Sequence, residues 1–353
     1  MKESILQYIK CPNCNSRKLK IDDSLFSVKE SEGVIVQGSI FCDTCTSSHP
    51  ILLGLPILVK NQCDYFTKNK VELLLNLYKH EADKKIIEYI NDMSAHSIYG
   101  HSSSQESWQS QEGIDTYIHN QYILKTNRGE SSFMPPHDSY NFYSHISDLI
   151  KNEIQNTAGC LVDLGCGAGG MIHHLRDQYS VAIGLDYSFS AILAAQMIQE
   201  GVPFFKTTYN YYESAQRSIT KNISCSNSKE LHFLVADATN PPLENDIADM
   251  VTSINLLEII NNPSDLISSI RSILNNNGLM INSSPYYWRN DRSPKDEWLA
   301  NNEENEPEVF LKHLSKTGFN ILKNIDPLPW PLRFYSRYWQ IWESHLVMAK
   351  KND

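Results

Sequence analysis

Apolar positions along this chain keep three different rhythms. Over residues 1–62 they form short strand-like runs. Residues 19–21 and 33–40 have strand character, and Ser31-Glu32-Gly33 supplies a turn between them, which predicts a hairpin. Over residues 63–140 the spacing becomes helical. Residues 71–78 and 85–90 read as helices, and residues 100–112, rich in Ser, Gln and Gly, predict a mobile loop. Residues 140–150 read as an amphipathic helix placed ahead of a strand.

From residue 160 onward buried strands alternate with helices. The strands are expected at 160–164, 181–185, 232–235, 250–254 and 279–282. Before the last of these, Asn262-Pro263-Ser264 starts a helix, Leu266, Ile270, Ile273 and Leu274 repeat at helical spacing, and Gly278 is the expected stop. A closing strand pair is expected at 318–326 and 342–350. The chain therefore divides into 1–62, 63–140 and 141–353, the last an α/β unit.

Composition narrows the function. The chain has 353 residues, 41% of them hydrophobic and 20% charged, enough apolar content for a buried core. Asp and Glu outnumber Lys and Arg by 41 to 31, which speaks against a free-standing nucleic-acid binder. The apolar run at 51–59 is interrupted by Gly54 and Pro56 and is too short to span a bilayer. Residues 1–10 lack the apolar core of a signal peptide, so the expected compartment is the cytoplasm and no membrane partner is expected.

Cys11-Pro12-Asn13-Cys14 and Cys42-Asp43-Thr44-Cys45 are two knuckles of tight spacing. Two intervening residues let both thiolates of a knuckle turn onto one tetrahedral ion, so Cys11, Cys14, Cys42 and Cys45 complete a four-sulfur shell that suits Zn²⁺. Four protein ligands leave no open position, so the site is expected to be structural. A redox reading is weaker, since neither knuckle opens a helix in a βαβ pattern. Cys63, Cys160 and Cys225 have no visible partner. The scattered His80, His96, His101, His119, His137 and His145 make no metal pattern.

Tyr8-Ile9-Lys10-Cys11-Pro12-Asn13-Cys14, the second knuckle and the later Pro50-Ile51 and Gly54-Leu55-Pro56-Ile57-Leu58 resemble the small zinc-ribbon family that activates certain tRNA and protein methyltransferases. A similar zinc segment precedes the catalytic domain of bacterial rRNA guanine methyltransferases. The resemblance covers about residues 1–60 and implies an RNA-docking alternative. Residues 1–70 hold nine Lys/Arg and seven Asp/Glu, with Arg17, Lys18 and Lys20 the only close basic group. A solvated turn beside the knuckle is the plainer account of that group.

The stretch Asp163-Leu164-Gly165-Cys166-Gly167-Ala168-Gly169-Gly170 runs from a strand into a glycine-rich turn and then a helix near Met171. Such a turn allows close backbone approach, and the helix start presents free N–H groups to a polar ligand end. Asp186 ends the second strand, where an acid can accept both hydrogen bonds of a ribose diol. Asp237 ends the third and Asn255 the fourth. All lie at carboxyl ends of strands, where open α/β sheets bind ligands.

In this order the elements resemble class I S-adenosylmethionine-dependent methyltransferases, and imply a Rossmann-like seven-stranded domain behind a zinc ribbon and a helical linker. The resemblance implies that Gly165 and Gly167 approach the methionine moiety and Asp163 orders its amino end. Cys166 belongs to the same turn, as a packing residue rather than a nucleophile. Asp186 with Tyr187 would hold the ribose, Asp237 with Ala238 the adenine, and Asn255 would lie beside the transferring methyl. Dinucleotide binding is the runner-up.

Two further segments go beyond the generic domain and are expected to meet the substrate. Ser284-Pro285-Tyr286-Tyr287-Trp288 with Pro294 and Trp298-Leu299, and Arg333 through Arg337 with Ser344-His345, resemble the methyltransferase domain of ovothiol biosynthesis. Ala300 and Asn301 stand where that domain carries glycines, and its sulfoxide-synthase module is missing, so substrate identity does not carry over. Tyr286, Trp288 and Trp298 could wall a dry pocket or form core under the last strands. Arg333 or Arg337 could fork a substrate carboxylate or make surface ion pairs. Tyr286 or His345 could accept a proton. Tyr117 and Tyr122 are candidates for a closing lid, against ordinary packing aromatics. The insertion at 203–229, with Tyr209, Tyr211 and Tyr212, could face the pocket. The expected function is methyl transfer to a small amino-acid-derived or natural-product substrate, at nitrogen. The alternative is an RNA base methyltransferase docked by its ribbon.

Overall fold

The computed structural model describes residues 1–31, 33–95, 110–124, 140–153, 159–200, 208–214, 217–222, 230–288, 294–300, 305–335 and 338–352. The N-terminal unit is a small sheet of β1 (Leu19–Asp22), β2 (Lys29–Ser31), β3 (Val34–Cys42), β4 (Ser48–Leu52) and β5 (Leu55–Pro56). The order is β1-β3-β4-β5, with β2 also paired to β3. The expected hairpin is thus more elaborate: β1 does pair with β3, but the turn before Gly33 joins β3 to β2. Lys29–Ser31 is too short and polar to register as a strand by alternation.

The linker helices are α1 (Gln62–Lys68), α2 (Lys70–Lys79) and α3 (Lys84–Ala95). Asn61 caps α1 by accepting from the Asp64 amide at 3.2 Å. Phe66, Leu73, Leu77, Ile86 and Ile90 are buried where these helices meet. Further on, α4 (Gln111–Ile118) runs into a π-helical turn at His119–Ile123, followed by α5 (Phe142–Glu153). Of the predicted 100–112 loop only residues 110–112 lie within the described residues. There Ser110 accepts from the Gly113 amide at 3.1 Å and starts a helix instead, a cap that composition alone does not reveal.

The large sheet has seven strands: β6 (Cys160–Leu164), β7 (Val181–Asp186), β10 (Glu230–Val235), β11 (Ala248–Ile254), β12 (Leu274–Ser284), β13 (Phe319–Tyr335) and β14 (Tyr338–Lys351). The order is β10-β7-β6-β11-β12-β14-β13, parallel except for β14, which runs antiparallel to both neighbours. Central strands such as β6 are buried on both faces, as crossover helices require. Those helices include α6 (Gly170–Leu175), α7 (Phe189–Glu200), α8 (Pro263–Ile273) and α9 (Glu306–Lys316). This is the α/β class I methyltransferase fold expected from the sequence, with the cysteine-rich unit in front.

Two boundaries differ from expectation. Helix α8 ends at Ile273 and β12 already begins at Leu274, so Gly278 lies inside a strand rather than stopping the helix. The closing hairpin extends to Tyr335 and Tyr338, well past its predicted ends. The added stretch of β13 contains Pro327, Pro329 and Pro331, which a central strand would not accept. Strand β13 is the sheet's edge, however, where a missing N–H faces outward at no cost. The 203–229 insertion contains a hairpin of β8 (Thr208–Ser214) and β9 (Arg217–Asn222). Tyr209, Tyr211 and Tyr212 lie on β8, but their side chains are outside what is described.

The cysteine-rich unit is joined to the large sheet by backbone bonds. Ile57 bridges Val235 in parallel and the Leu58 amide donates to the Val235 carbonyl at 2.8 Å. Ile9 bridges Leu243. Ile5, Ile9, Ile40, Ile51 and Leu58 share one core cluster with Val162, Leu234 and Ala236. Among the described residues no helix is long and apolar enough to cross a membrane.

Candidate active site

The two cysteine knuckles are built alike. In each, the residue after the second cysteine takes a left-handed conformation (Asn15 φ 58°, Thr46 φ 60°) and donates its amide back to the first cysteine's carbonyl, at 2.8 and 2.9 Å. The four thiol sulfurs lie within 4.8 Å of one another, with Cys11–Cys45 and Cys14–Cys42 both at 3.6 Å. A tetrahedral ion with metal–sulfur bonds of about 2.3 Å sets sulfurs about 3.8 Å apart, so the donor set fits one ion. Ser47 Oγ lies 3.1 Å from Cys45 Sγ and 3.4 Å from Cys11 Sγ, and its hydrogen bond holds the Cys45 thiol down at about 6. The Gln62 amide donates to His49 Nδ1 at 2.8 Å, which leaves the His49 Nε2 proton for Ser47 Oγ at 3.2 Å.

The glycine turn follows β6. Gly165, Gly167 and Gly169 have φ of 70°, 54° and 86°. A Cβ on Gly165 would also fall 2.8 Å from the Leu256 side chain, so only glycine fits there. Asp163, at the end of β6, is 2% exposed and accepts from Thr252 Oγ1 at 2.6 Å. Burial pushes its carboxyl up to about 7, against the pull of that hydroxyl. Cys166 is buried and its thiol pushed well up by burial, which makes it inert as a nucleophile.

Asp186 accepts from two backbone amides, Gly167 N at 2.9 Å and Ser188 N at 2.9 Å. Burial raises its carboxyl and these amides partly offset that. One carboxylate thereby ties the end of β7 to the glycine turn. Tyr187 projects beside it, its ring edge-on to Tyr65 of α1 at 5.0 Å. At the end of β10, Asp237 Oδ1 accepts both the amide and the hydroxyl of Thr239, at 2.8 and 2.7 Å, and Ala238 is buried.

Asn255 ends β11 in a left-handed conformation (φ 52°). Its Oδ1 accepts from Ser283 Oγ at 2.8 Å and Ser344 Oγ at 3.2 Å, while its Nδ2, also buried, has no partner among the described residues. Just past the end of β12, whose last residue Ser284 pairs with His345 of β14, the Tyr286 hydroxyl donates to His345 Nδ1 at 2.6 Å, and His345 Nε2 donates to Asn324 Oδ1. Burial pushes the Tyr286 hydroxyl up and the His345 imidazole down, so the pair is a neutral phenol on a neutral ring. The Tyr286 amide is fixed by Ser284 Oγ, which itself donates to Glu258 Oε2 at 2.7 Å.

Trp288 stacks on Trp298 with ring centres 5.9 Å apart, and Tyr286 lies 6.3 Å from both Trp288 and Phe310. The three aromatics named from the sequence thus gather in one cluster. Arg333 is not part of it. It sits far along the hairpin, level with Trp339, with its guanidinium 5.0 Å from the Trp339 ring centre. Arg337 lies outside the described residues.

Gln121, Asn120 and Thr252 carry no sequence signal, whereas the sequence singles out Tyr117, Tyr122 and Ser344. Gln121, in the π-helical turn, lies over the glycine turn and accepts from the Gly170 amide at 3.1 Å. Tyr122, one of the two lid candidates, donates to the Ala168 carbonyl at 2.5 Å. Tyr117 packs against the small cluster around Ile114 and Ile118. Asn120 takes both backbone groups of Arg333, at 2.7 and 3.0 Å, and so clasps the long hairpin to the same segment. Thr252 is a hydroxyl on a strand, and only its neighbours give it away.

The strand order and the glycine turn can now be set beside known proteins. Residues 137–306 match a family model described as a methyltransferase domain. That stretch, just under half of the chain, is similar to a methyltransferase domain. In the sheet a single antiparallel strand, β14, is inserted between β12 and β13. No curated protein matches the chain. Among solved structures, one from Methanococcus maripaludis, assigned as an S-adenosyl-L-methionine-dependent methyltransferase, is 17% identical. It covers 72% of this chain and 98% of its own, with a TM-score of 0.43. A complex between the Haloferax volcanii Trm112 methyltransferase activator and an assigned methyltransferase gives 14% identity, 71% and 100% coverage, and a TM-score of 0.42. The [4+2]-cyclase SpnF gives 14% identity, 70% and 97% coverage, and 0.44. These three are likenesses of the methyltransferase domain and nothing finer.

Proposed function

We propose that the protein transfers the methyl group of S-adenosylmethionine to nitrogen of a small amino-acid-derived or natural-product acceptor, with a structural Zn²⁺ on Cys11, Cys14, Cys42 and Cys45. The cytoplasm is the compartment that suits a reduced four-cysteine site. The observation that carries the acceptor reading is the hydrogen-bonded chain Tyr286–His345–Asn324 against the aromatic cluster of Trp288, Trp298 and Phe310. It joins an aromatic wall to a route for one proton.

S-adenosylmethionine brings a methyl group already activated on a sulfonium, so the hard chemistry belongs to the cofactor. In this reading Asp163 accepts at the amino end, Asp186 accepts from the ribose hydroxyls, and Gly165 and Gly167 leave room for the methionine portion. Asp237 and Ala238 border the adenine. Asn255, its oxygen occupied by Ser283 and Ser344, offers its Nδ2 hydrogens to the bound molecules. Tyr286 takes the proton leaving a methylated nitrogen and passes its own to His345 Nδ1. The remaining task is alignment, which can supply about 7–11 kcal/mol in favourable cases. Trp288 and Trp298 exclude water from one side, and Arg333 and Arg337 remain candidates for a substrate carboxylate.

RNA as the acceptor is less well supported. Two of the three basic residues near the first knuckle already have acidic partners: Arg17 with Glu244 at 2.6 Å and Lys20 with Asp43 at 2.7 Å. The test is transfer of labelled methyl into a host extract divided into small-molecule, RNA and protein fractions. Label in the small-molecule fraction is expected. Label in RNA alone would overturn the acceptor reading and restore the ribbon as a docking module.

A further inference from the structure

The segment ahead of the matched methyltransferase domain reaches into the cofactor site. Glu72 of α2 is 2% exposed, a costly place for a carboxylate. Its Oε1 accepts from the Ser188 hydroxyl and from the Ser190 amide, both at 2.6 Å. One helical turn later, Asn76 Nδ2 donates to Ser190 Oγ at 2.8 Å. Ser188 is fully engaged: its hydroxyl donates to Glu72 and accepts from the Ala191 amide at 3.2 Å, which starts α7. Its own amide donates to Asp186 Oδ1 at 2.9 Å. A continuous chain therefore runs from Glu72 through Ser188 to the carboxylate expected at the ribose.

Two more observations point at a ligand there. Glu72 Oε2 and the Tyr65 hydroxyl are buried, and neither has a hydrogen-bond partner among the described residues. The Tyr65 hydroxyl is raised by burial first, then by Glu72, Tyr187 and Asp186, so these groups lie together. Unpaired buried polar atoms are costly unless a bound molecule meets them.

We propose that Glu72 is a positioning residue of the cofactor site, through which α2 fixes Asp186 for the hydroxyls of a bound nucleoside. The proposal rests on the S-adenosylmethionine reading of the methyltransferase domain. A hydrogen-bonded acceptor at Ser188 and Ser190 is what the site needs, and a neutral amide oxygen can replace the carboxylate in that role.

The experiment is calorimetric titration of S-adenosylhomocysteine into the full-length protein and its Glu72→Gln, Glu72→Leu and Ser188→Ala variants, with thermal melting of each and steady-state kinetics once an acceptor is found. Glu72→Leu is expected to weaken binding at least tenfold, while Glu72→Gln stays within about threefold of the parent. The KM for the methyl donor should rise with kcat nearly unchanged. Ser188→Ala should weaken binding in the same sense, and serves as the readout if Glu72→Leu does not fold. Parent-like affinity in Glu72→Leu or Ser188→Ala overturns the proposal while leaving the methyltransferase reading intact. Equal losses in Glu72→Gln and Glu72→Leu overturn it too, because charge would then matter rather than the bonded oxygen. No binding by the parent protein overturns both.

Discussion

The cysteine knuckles and the glycine turn both depend on backbone in left-handed conformations, yet they are assembled in opposite ways. Each knuckle closes on itself, with Asn15 and Thr46 each bonding back to the cysteine four residues earlier. All four donors then meet because β1 and β3 are paired at Leu19 and Cys42. The glycine turn is finished by distant parts of the chain: Gln121 above it, Asp186 beside it, and Glu72 behind Asp186. A local site is legible in residue spacing and fails as a unit. A dispersed site loses its parts separately, and its parts can be tested separately.

The largest expected effect is on the local site. Cys14→Ser should abolish stoichiometric zinc and lower folded yield severely, since structural zinc in small domains contributes free energy of order 10 kcal/mol. Metal analysis with thermal melting checks this, and full zinc occupancy in the variant would remove the site. Next comes Asp186→Ala. Losing charge-assisted hydrogen bonds of about 1.5–3 kcal/mol each should weaken S-adenosylhomocysteine binding by tenfold or more. Zinc content should stay that of the parent, which keeps the two sites separate.

A smaller effect should appear with pH. The folded-state pKa of Asp163 is raised to about 7, so folding favours its protonated form. Its contribution to stability is fully present below the ordinary carboxylate range and is lost as pH rises through about 7. The ligand-free protein should therefore lose stability between about pH 4 and 7, and Asp163→Asn should flatten that part of the profile in chemical denaturation. Cofactor affinity should move the other way, rising toward pH 7 as the carboxylate forms. A profile unchanged by Asp163→Asn would show that Asp163 does not titrate there. The smallest effect belongs to Arg17→Ala at the junction of the two regions. Arg17 is largely exposed although Glu244 is buried, so water can replace much of the lost pair, and the expected cost is about 1 kcal/mol, read as a small shift in melting temperature.

Much of the fold could be read before any coordinates. Parallel strands buried on both faces appear as apolar runs, so the positions of β6, β7, β10 and β11 were legible, and the acids Asp186 and Asp237 could be put at their ends. What escaped was of two kinds. Edge strands with prolines, and strands as short and polar as Lys29–Ser31, leave no alternation to detect. Contacts that depend on packing leave none either. Gln121, Glu72 and Thr252 are ordinary helix or strand residues in sequence, and become parts of a site only through what folds against them. Arg333 shows the converse: its residue type suggested an anion fork, and nothing in the spacing told that the long hairpin would set its guanidinium over the Trp339 ring.

The bond between Ile57 and Val235 also bears on how copies of this protein behave toward one another. An open sheet exposes unpaired N–H and C=O groups at both margins, and these invite a strand from a neighbouring molecule. Here one margin is met at the end of β10 by the Ile57–Leu58 segment of the same chain. The other margin, β13, is interrupted by Pro327, Pro329 and Pro331, which have no N–H to offer. The cysteine-rich unit therefore covers the carboxyl end of that margin with its own backbone, where a neighbouring strand would otherwise start to pair.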